Sequence, residues 1–446
     1  MSSLAGGARD DMQIFVNSMK KLTSFRDILV LNIYWIGLSF KWSALHPIIL
    51  PALLLNYVPN AQKNSYLGLL TFIGLLVAAL VQPLSGALSD GWVSRWGRRR
   101  PLLLLGTLLD VIFLLVLGWA GGLVWIFIGY IGLQFSSNLG QGSAQGLLPD
   151  RVAAQKLGAA SGIKTFMDMT ALIIASLAAG RLFDSQGRDA RLIVLVLIGV
   201  VLASVAVTVL GTPEEPTERA TVDPRPASAG WWLRFSAQLQ ARKPQDFLAG
   251  LRANPSYWWL IAQRGVFLLG IYGLQAFAQY YLRDVLGVAN PVKTTGDLLA
   301  ALTAALIVLA LAGGWLADRF GAKRVLYAAS LLSSGGFILL WLARTPGMLV
   351  LYGALLGAGI GLFLTSSWAL ANKLAPSGES GKYLGLTNLA TAGSGALARL
   401  EGPLIDALNA AHPGLWLGYM GMFAFGALCT LLSAFLLKRV IIKQPA

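Results

Sequence analysis

Gln82-Pro-Leu-Ser-Gly-Ala-Leu-Ser-Asp90-Gly-Trp-Val-Ser-Arg95-Trp-Gly-Arg98-Arg99-Arg100-Pro101 joins two long apolar runs and places four arginines within six residues. Arginines in that number between hydrophobic spans belong on the cytoplasmic side of a membrane. They read either as a topology signal alone or as partners for Asp90, since acids and guanidinium forks at a helix mouth form charge-assisted bonds. A second copy supports the partner reading. Gly314-Trp-Leu-Ala-Asp318-Arg-Phe-Gly321-Ala-Lys323-Arg324 repeats the order glycine, acid, glycine, two bases. Gly86 to Gly314 and Asp90 to Asp318 are both 228 residues apart, and Gly97 to Gly321 is 224. A third echo, Gly180-Arg-Leu-Phe-Asp184 against Gly402-Pro-Leu-Ile-Asp406, lies at an offset of 222. Three echoes in order at nearly one offset divide the chain into two related halves.

Composition states the medium. Of 446 residues, 56% are hydrophobic and 12% charged, about half the charge fraction of a soluble domain. The chain is expected to be an all-α integral membrane protein. In a soluble protein a net charge of +15 would point to nucleic acid; here most of it sits in loops assigned to the cytoplasm, so anionic lipid headgroups are the expected partner. The single cysteine, Cys429, excludes an intrachain disulfide and falls in an apolar run, where it is expected to be buried and inert. No cleavable leader is expected, because Asp10, Asp11, Lys20 and Lys21 precede the first long apolar run.

A span needs about 20 apolar residues. Such runs lie near 28–55, 66–89, 101–121, 123–147, 157–183, 190–211, 256–282, 297–317, 323–343, 346–372, 382–408 and 414–437. That gives 12 transmembrane helices: six, an interruption, and six. The expected divisions are an N-terminal segment 1–27, a six-helix half 28–211, a linker 212–255, a second half 256–438 and a tail 439–446. The linker holds Pro213, Pro216, Pro224 and Pro226 before Trp231-Trp232-Leu-Arg-Phe. It reads as a cytoplasmic connection ending in an amphipathic helix at the membrane surface. The excess of Lys and Arg on one side places both termini in the cytoplasm.

Six plus six helices with repeated halves and a central loop resemble the major facilitator superfamily. The usual loop of that superfamily is Asp, Arg, any residue, Gly, Arg; here four residues separate Asp90 from Arg95. The lengthened form, with Val81-Gln82-Pro83-Leu84 before it, resembles the sucrose-transporter and glycoside–pentoside–hexuronide:cation symporter branch. Gly37, Phe40 and Trp42 with Pro51 resemble the first helix of that branch, and Asn138-Leu-Gly-Gln141-Gly142 with Leu147-Leu148-Pro-Asp150 resembles its fourth. The N-terminal half carries most of the likeness. The chain also departs from it. Plant sucrose carriers have an aspartate near the outer end of helix three, where this chain has Gly121-Gly122. They have aspartate and arginine in helix four where Gln134 and Gln145 stand. Coupling must therefore use other residues.

Ionisable groups at mid-span are costly and face a cavity or a partner. Lys41 lies about 20 Å into helix one at 1.5 Å per residue; it is either a solute contact or the partner of a structural acid, with Asp110 of helix three at matching depth. His46, five residues further, reads as a structural or mouth residue. Lys164 and Asp168, one turn apart on helix five, can pair with each other or open onto the solute and proton path. Arg264 enters helix seven, and Glu401 with Arg399 interrupts helix eleven, where Glu401 could pair with either arginine. Asp168, Asp110 and Glu401 are the candidate proton-coupling acids, in that order, with Lys164 as the competing partner of Asp168.

Uncharged polar groups complete the candidate solute contacts. Gln134, Asn138 and Gln141 form a stripe on helix four, Gln275 and Gln279 another on helix seven, and Asn388 adds to helix eleven. Amides pair with hydroxyls, and the indoles of Trp42 and Trp368 stack on sugar faces. The same amides could equally be glue between helices. At the cytoplasmic ends Asp90 with Arg98 and neighbouring Arg95, and Asp318 with Lys323 or Arg324, are expected to hold the halves together when the cavity faces outward.

The resemblance implies a secondary active transporter of a small polar solute, a sugar or glycoside moved with protons or another coupling cation. An organic-anion carrier is the alternative, from the cations at depth, Lys41, Lys164 and Arg264. A non-transporting receptor on the same fold is a third reading. An enzyme is disfavoured: the sequence has no metal-ligand spacing, nucleophile elbow or phosphate loop, and only two histidines. No cofactor and no nucleic acid are expected. The expected setting is a monomer in the cell membrane, of the bacterial inner-membrane kind.

Overall fold

The computed structural model describes residues 22–90, 92, 94–183, 189–212, 214, 254–375 and 380–441. Most of the N-terminal segment, Asp184 of the third echo, the helix expected around Trp231 and Trp232, and the end of the tail lie outside these residues. Among the described residues the architecture is all-helical, with one isolated β-bridge between Leu22 and Val152.

The helices are α1 (Phe25–Leu54), α2 (Lys63–Asp90), α3 (Arg100–Gly118), α4 (Leu123–Gln145), α5 (Leu157–Leu182) and α6 (Arg191–Gly211) in the first half. The second half has α7 (Pro255–Asp284), α8 (Pro291–Phe320), α9 (Ala322–Leu342), α10 (Pro346–Leu374), α11 (Ser380–Ala398), α12 (Glu401–Ala411) and α13 (Leu417–Leu436). Eleven helices among the described residues are long and apolar enough to cross a membrane. The eleventh of the twelve expected spans is two shorter helices, α11 and α12, separated by Arg399 and Leu400. The break falls where the sequence puts two ionisable residues into an otherwise apolar run.

Several helix starts follow from local chemistry. Pro255, Pro291 and Pro346 occupy first turns, where a missing N–H costs nothing. Asn254, Asn290 and Thr345 precede them, and each accepts the amide three residues on. The repeated loops carry their glycines for a backbone reason: Gly97 has φ +90° and Gly321 has φ +86°, a region that penalises any side chain with a Cβ. Sequence echo and backbone conformation therefore coincide in the two halves.

α1 contains one π-helical turn, Leu45–Ile49. Pro47 lacks an N–H and its ring would press on the carbonyl one turn back; the turn widens, and the amide of Leu50 reaches the carbonyl of Leu45. Such turns are found at functional sites.

The halves meet along two crossings, α2 with α12 and α5 with α8. Both rely on close backbone approach. A Cβ at Gly402 would stand 2.1 Å from the Asn64 carbonyl oxygen, and one at Gly296 would stand 2.4 Å from that of Ser176. Small residues at helix crossings are what lipid-embedded packing uses.

Candidate functional site

Between the halves lies a cavity of about 310 Å³. α1 supplies one wall with Trp35, Ser39, Trp42, Ser43 and His46; α4 adds Gln141, and α5 adds Lys164 and Asp168. From the second half come Gln275 of α7, Leu299 of α8 and Arg399 from the break after α11.

The charges of the N-terminal wall are bound to one another. Lys164 Nζ is 2.9 Å from Asp168 Oδ2, and the Ser39 hydroxyl donates to Asp168 Oδ1 at 2.6 Å. The ammonium also sits 3.9 Å from the centre of the Trp35 ring, a cation–π contact. Asp168 thus ties α5 to α1 at the cavity surface. Higher on the same wall the π turn presents His46, stacked on Trp42 at 4.6 Å, with Nε2 3.0 Å from the Tyr130 hydroxyl.

Other expected solute contacts lie elsewhere. Lys41 is fully buried behind the wall, bonded to Asp110 and Ser137 between α1, α3 and α4. Ser136 and Ser137 donate to the other oxygen of Asp110 at 2.5 and 2.7 Å. Both charges are satisfied within the first half, because an unpaired charge at that depth would be far more costly than the pair. Gln134 donates to Tyr130 at 2.7 Å and Asn138 to the Gln134 carbonyl at 2.7 Å, both buried. Of the three amides of that stripe, Gln141 reaches the wall. Arg264 donates to Ser367 at 2.9 Å and Thr391 at 3.1 Å, and lies 5.1 Å from the Trp368 ring, in a cluster of α7, α10 and α11 off the cavity wall. Gln279, with its amide nitrogen oriented to α1, donates to the carbonyls of Pro47 and Ile48 at 3.1 and 2.9 Å. It satisfies carbonyls of the π turn. Asn388 is exposed on α11.

The arginine loop forms a network, with different partners from those expected. Asp90 pairs with Arg99 at 2.6 Å, while Arg98 pairs with Asp150 at 2.7 Å. Arg99 also reaches Asp150 at 2.9 Å and bonds Ser89. Arg98 is drawn off because Asp150, on the short helix Leu147–Arg151 after α4, offers both carboxylate oxygens to the loop. Arg95 is exposed beside the Trp96 ring. Glu214, just after α6, accepts the Arg99 amide at 3.0 Å, and burial pushes its carboxyl above the usual range. In the second copy Lys323 donates to the Val440 carbonyl at 2.6 Å, and Asp318 makes no ion pair with Lys323 or Arg324. None of these bonds joins the two halves.

At the opposite end the halves are bound to each other. Lys63 pairs with Asp284 at 2.6 Å, both nearly covered, and Tyr419 donates to the same carboxylate at 2.7 Å. Asp406 accepts from Asn64 at 2.8 Å, and from the Ser65 amide and hydroxyl at 2.6 and 2.7 Å. Arg283 bonds Asn60, and Arg181 pairs with Asp297 at 3.0 Å. Nothing in linear spacing couples residue 63 to residue 284.

Two helical bundles around a central cavity, with paired charges on its wall, define a membrane carrier. The profile of the Major Facilitator Superfamily matches residues 35–399, and again 289–444, and the chain belongs to that superfamily. It is 24% identical to the multidrug resistance protein MdtG of Enterobacter lignolyticus (strain SCF1) over 91% of this chain and 90% of that one. It is 28% identical to the sucrose transport protein SUC4 of Arabidopsis thaliana, over 26% of this chain and 25% of that one. The fold matches a D-xylose-proton symporter with TM-score 0.69 at 16% identity, covering 94% and 99% of the two chains. A bacterial homologue of the human lysosomal transporter Spinster matches with TM-score 0.70 at 15% identity, over 94% and 98%.

Proposed function

We propose that this facilitator is a secondary active transporter that moves a sugar or glycoside together with protons by alternating access. The observation that carries the reading is Asp168 at the cavity surface, shared between Lys164 on its own helix and Ser39 on α1. A coupling carboxylate needs a partner it can keep in one state of the cycle and lose in another, and both partners of Asp168 face the solute space. Gln141, Gln275 and the indole of Trp42 around it offer hydrogen bonds and a flat apolar face, the pair of contacts a ring bearing hydroxyls uses.

The polar lock of Lys63, Asp284 and Asp406 closes one end, while at the other end the bonds named above for the arginine loop do not join the two halves. By the positive-inside rule this is the state open to the cytoplasm, in the cell membrane. The alternate state requires the lock to open and the two loops at the basic end to approach.

Asp168→Asn should abolish accumulation of solute against its gradient in proteoliposomes while leaving exchange down the gradient. Uphill, pH-dependent uptake by that variant would make Asp168 a structural partner of Lys164 and refute the coupling role.

A further inference from the structure

α1 carries two prolines four residues apart, Pro47 inside its π turn and Pro51 just beyond it. In an α-helix the carbonyl of residue 47 would accept the amide of residue 51, and a proline has no N–H to give. At membrane depth a carbonyl without a donor is costly. Here a donor comes from the other half. The Gln279 side chain of α7 donates to the Pro47 and Ile48 carbonyls at 3.1 and 2.9 Å. Tyr280, next on α7, donates to the Pro51 carbonyl at 2.9 Å. All five residues are buried.

The stapled turn touches two regions. On the cavity side, His46 and Pro47 of the turn and Trp42 one turn before it line the wall, with His46 stacked on Trp42 and bonded to Tyr130. On the other side, α7 runs from Gln279 to Asp284, about 7.5 Å further at 1.5 Å per residue, where Lys63 of α2 pairs with it at 2.6 Å. Lys63 Nζ also lies 5.8 Å from the centre of the Tyr280 ring. Lock and staple therefore share one end of α7. When the lock opens, α7 leaves α2 and α1 together, and the Pro47 carbonyl loses this donor. A π turn holds one residue more than an α-helical turn. Its conversion to the α register would rotate the two ends of α1 against each other by about 100°.

Resting on the alternating-access reading above, we infer that Gln279 is a positioning residue and the π turn of α1 a switch: the second half holds the turn only while the Lys63 end is closed, and its release re-aims His46 and Trp42 in the cavity. Lys41, buried and paired with Asp110, fixes the preceding part of α1 within the first half. The turn is therefore where α1 takes up the movement. The coupling is reciprocal. A solute that fits the wall with the turn in place favours closure, and closure favours that shape of wall.

The experiment uses full-length protein in lipid nanodiscs without solute. Hydrogen–deuterium exchange of the peptide spanning 44–56 reads the turn, through the amides of Ile48, Ile49, Leu50 and Ala52. In a Cys429→Ser background, spin labels on Ala61→Cys and Ala289→Cys, both exposed positions, read the distance between the halves at the Lys63 end. Gln279→Met keeps the bulk and removes the donor. It should raise exchange in the α1 peptide about tenfold and shift the ratio of open to closed distances about tenfold, the size of one buried acceptor left without its donor. Pro51→Ala supplies an amide to the Pro47 carbonyl from within α1, so the double variant should return exchange close to the wild-type value. Asp284→Asn opens the lock without touching α1. It should raise exchange in the same peptide, and Pro51→Ala should suppress that rise too.

Unchanged exchange in Gln279→Met overturns the inference. So does a Pro51→Ala effect that merely adds to that of Gln279→Met, which would make Gln279 a packing residue of the seam. An open distance in Asp284→Asn with the α1 peptide still protected would sink the switch and leave alternating access standing. If Gln279→Met does not fold, Asp284→Asn with and without Pro51→Ala decides alone. A distance that stays closed in every variant would count against both this inference and the alternating-access reading.

Discussion

The two halves share an ancestry of pattern yet treat buried charge in opposite ways. In the N-terminal half each mid-span base has its own acid: Lys41 with Asp110, and Lys164 with Asp168. In the C-terminal half Arg264 is held by Ser367, Thr391 and Trp368, while Arg399 Nε and Glu401 Oε1 are buried without a hydrogen-bond partner among the described residues. One half pairs its buried charges within hydrogen-bond reach, and the other holds its buried base through hydroxyls and an indole.

The largest test of that contrast is the Lys41–Asp110 pair. Asp110→Leu strands a buried ammonium and should destabilise the protein by about 3–5 kcal/mol, whereas the double change with Lys41→Met should recover most of the loss. Thermal unfolding in mild detergent reads both. A double variant as damaged as the single one would show that Asp110 has a function beyond holding Lys41.

Next comes the lock between the halves. Asp284→Asn removes the ion pair with Lys63 and should shift the equilibrium towards the other-facing state by about 1–3 kcal/mol, the usual size of a conformational coupling term. A cysteine at Ser43 should then react faster with an impermeant thiol reagent added from the Lys63 side. Unchanged labelling would assign closure to the glycine crossings instead.

A smaller effect separates wall from filler on α4. Gln141→Cys should label readily with a small polar thiol reagent and be protected by solute. Asn138→Cys should label slowly, since that position is buried and bonded within its own helix. Equal labelling would return the whole amide stripe to the solute site.

The smallest concerns Glu214. The pKa of its carboxyl is raised by burial, so the buried placement of Glu214 is favoured while the acid is protonated and loses that contribution as pH rises through the shifted value. Glu214→Gln should keep the contact and flatten this local pH dependence, read by proteolysis of the linker. A steeper dependence in the glutamine variant would mean that the ionised form is the one that docks.

The sequence alone determined the medium, the helices and the doubling. Apolar runs of bilayer length admit only helices, and of the echoes at offsets of 228, 224 and 222 the one at 224 joins Gly97 and Gly321, which share a positive φ. It also placed Lys41 and Asp110 at one depth, and Lys164 and Asp168 on one face, because rise and pitch convert numbering into position. Which charges met the cavity was decided only in three dimensions. Lys41 points behind α1 and Gln134 and Asn138 bond within the bundle, while Arg399 faces the solute space from a break in its helix. Direction around a helix axis depends on the neighbours packed against it. Pairs such as Lys63 with Asp284, or Asp406 with Ser65, join residues more than two hundred positions apart, and no local spacing carries that information.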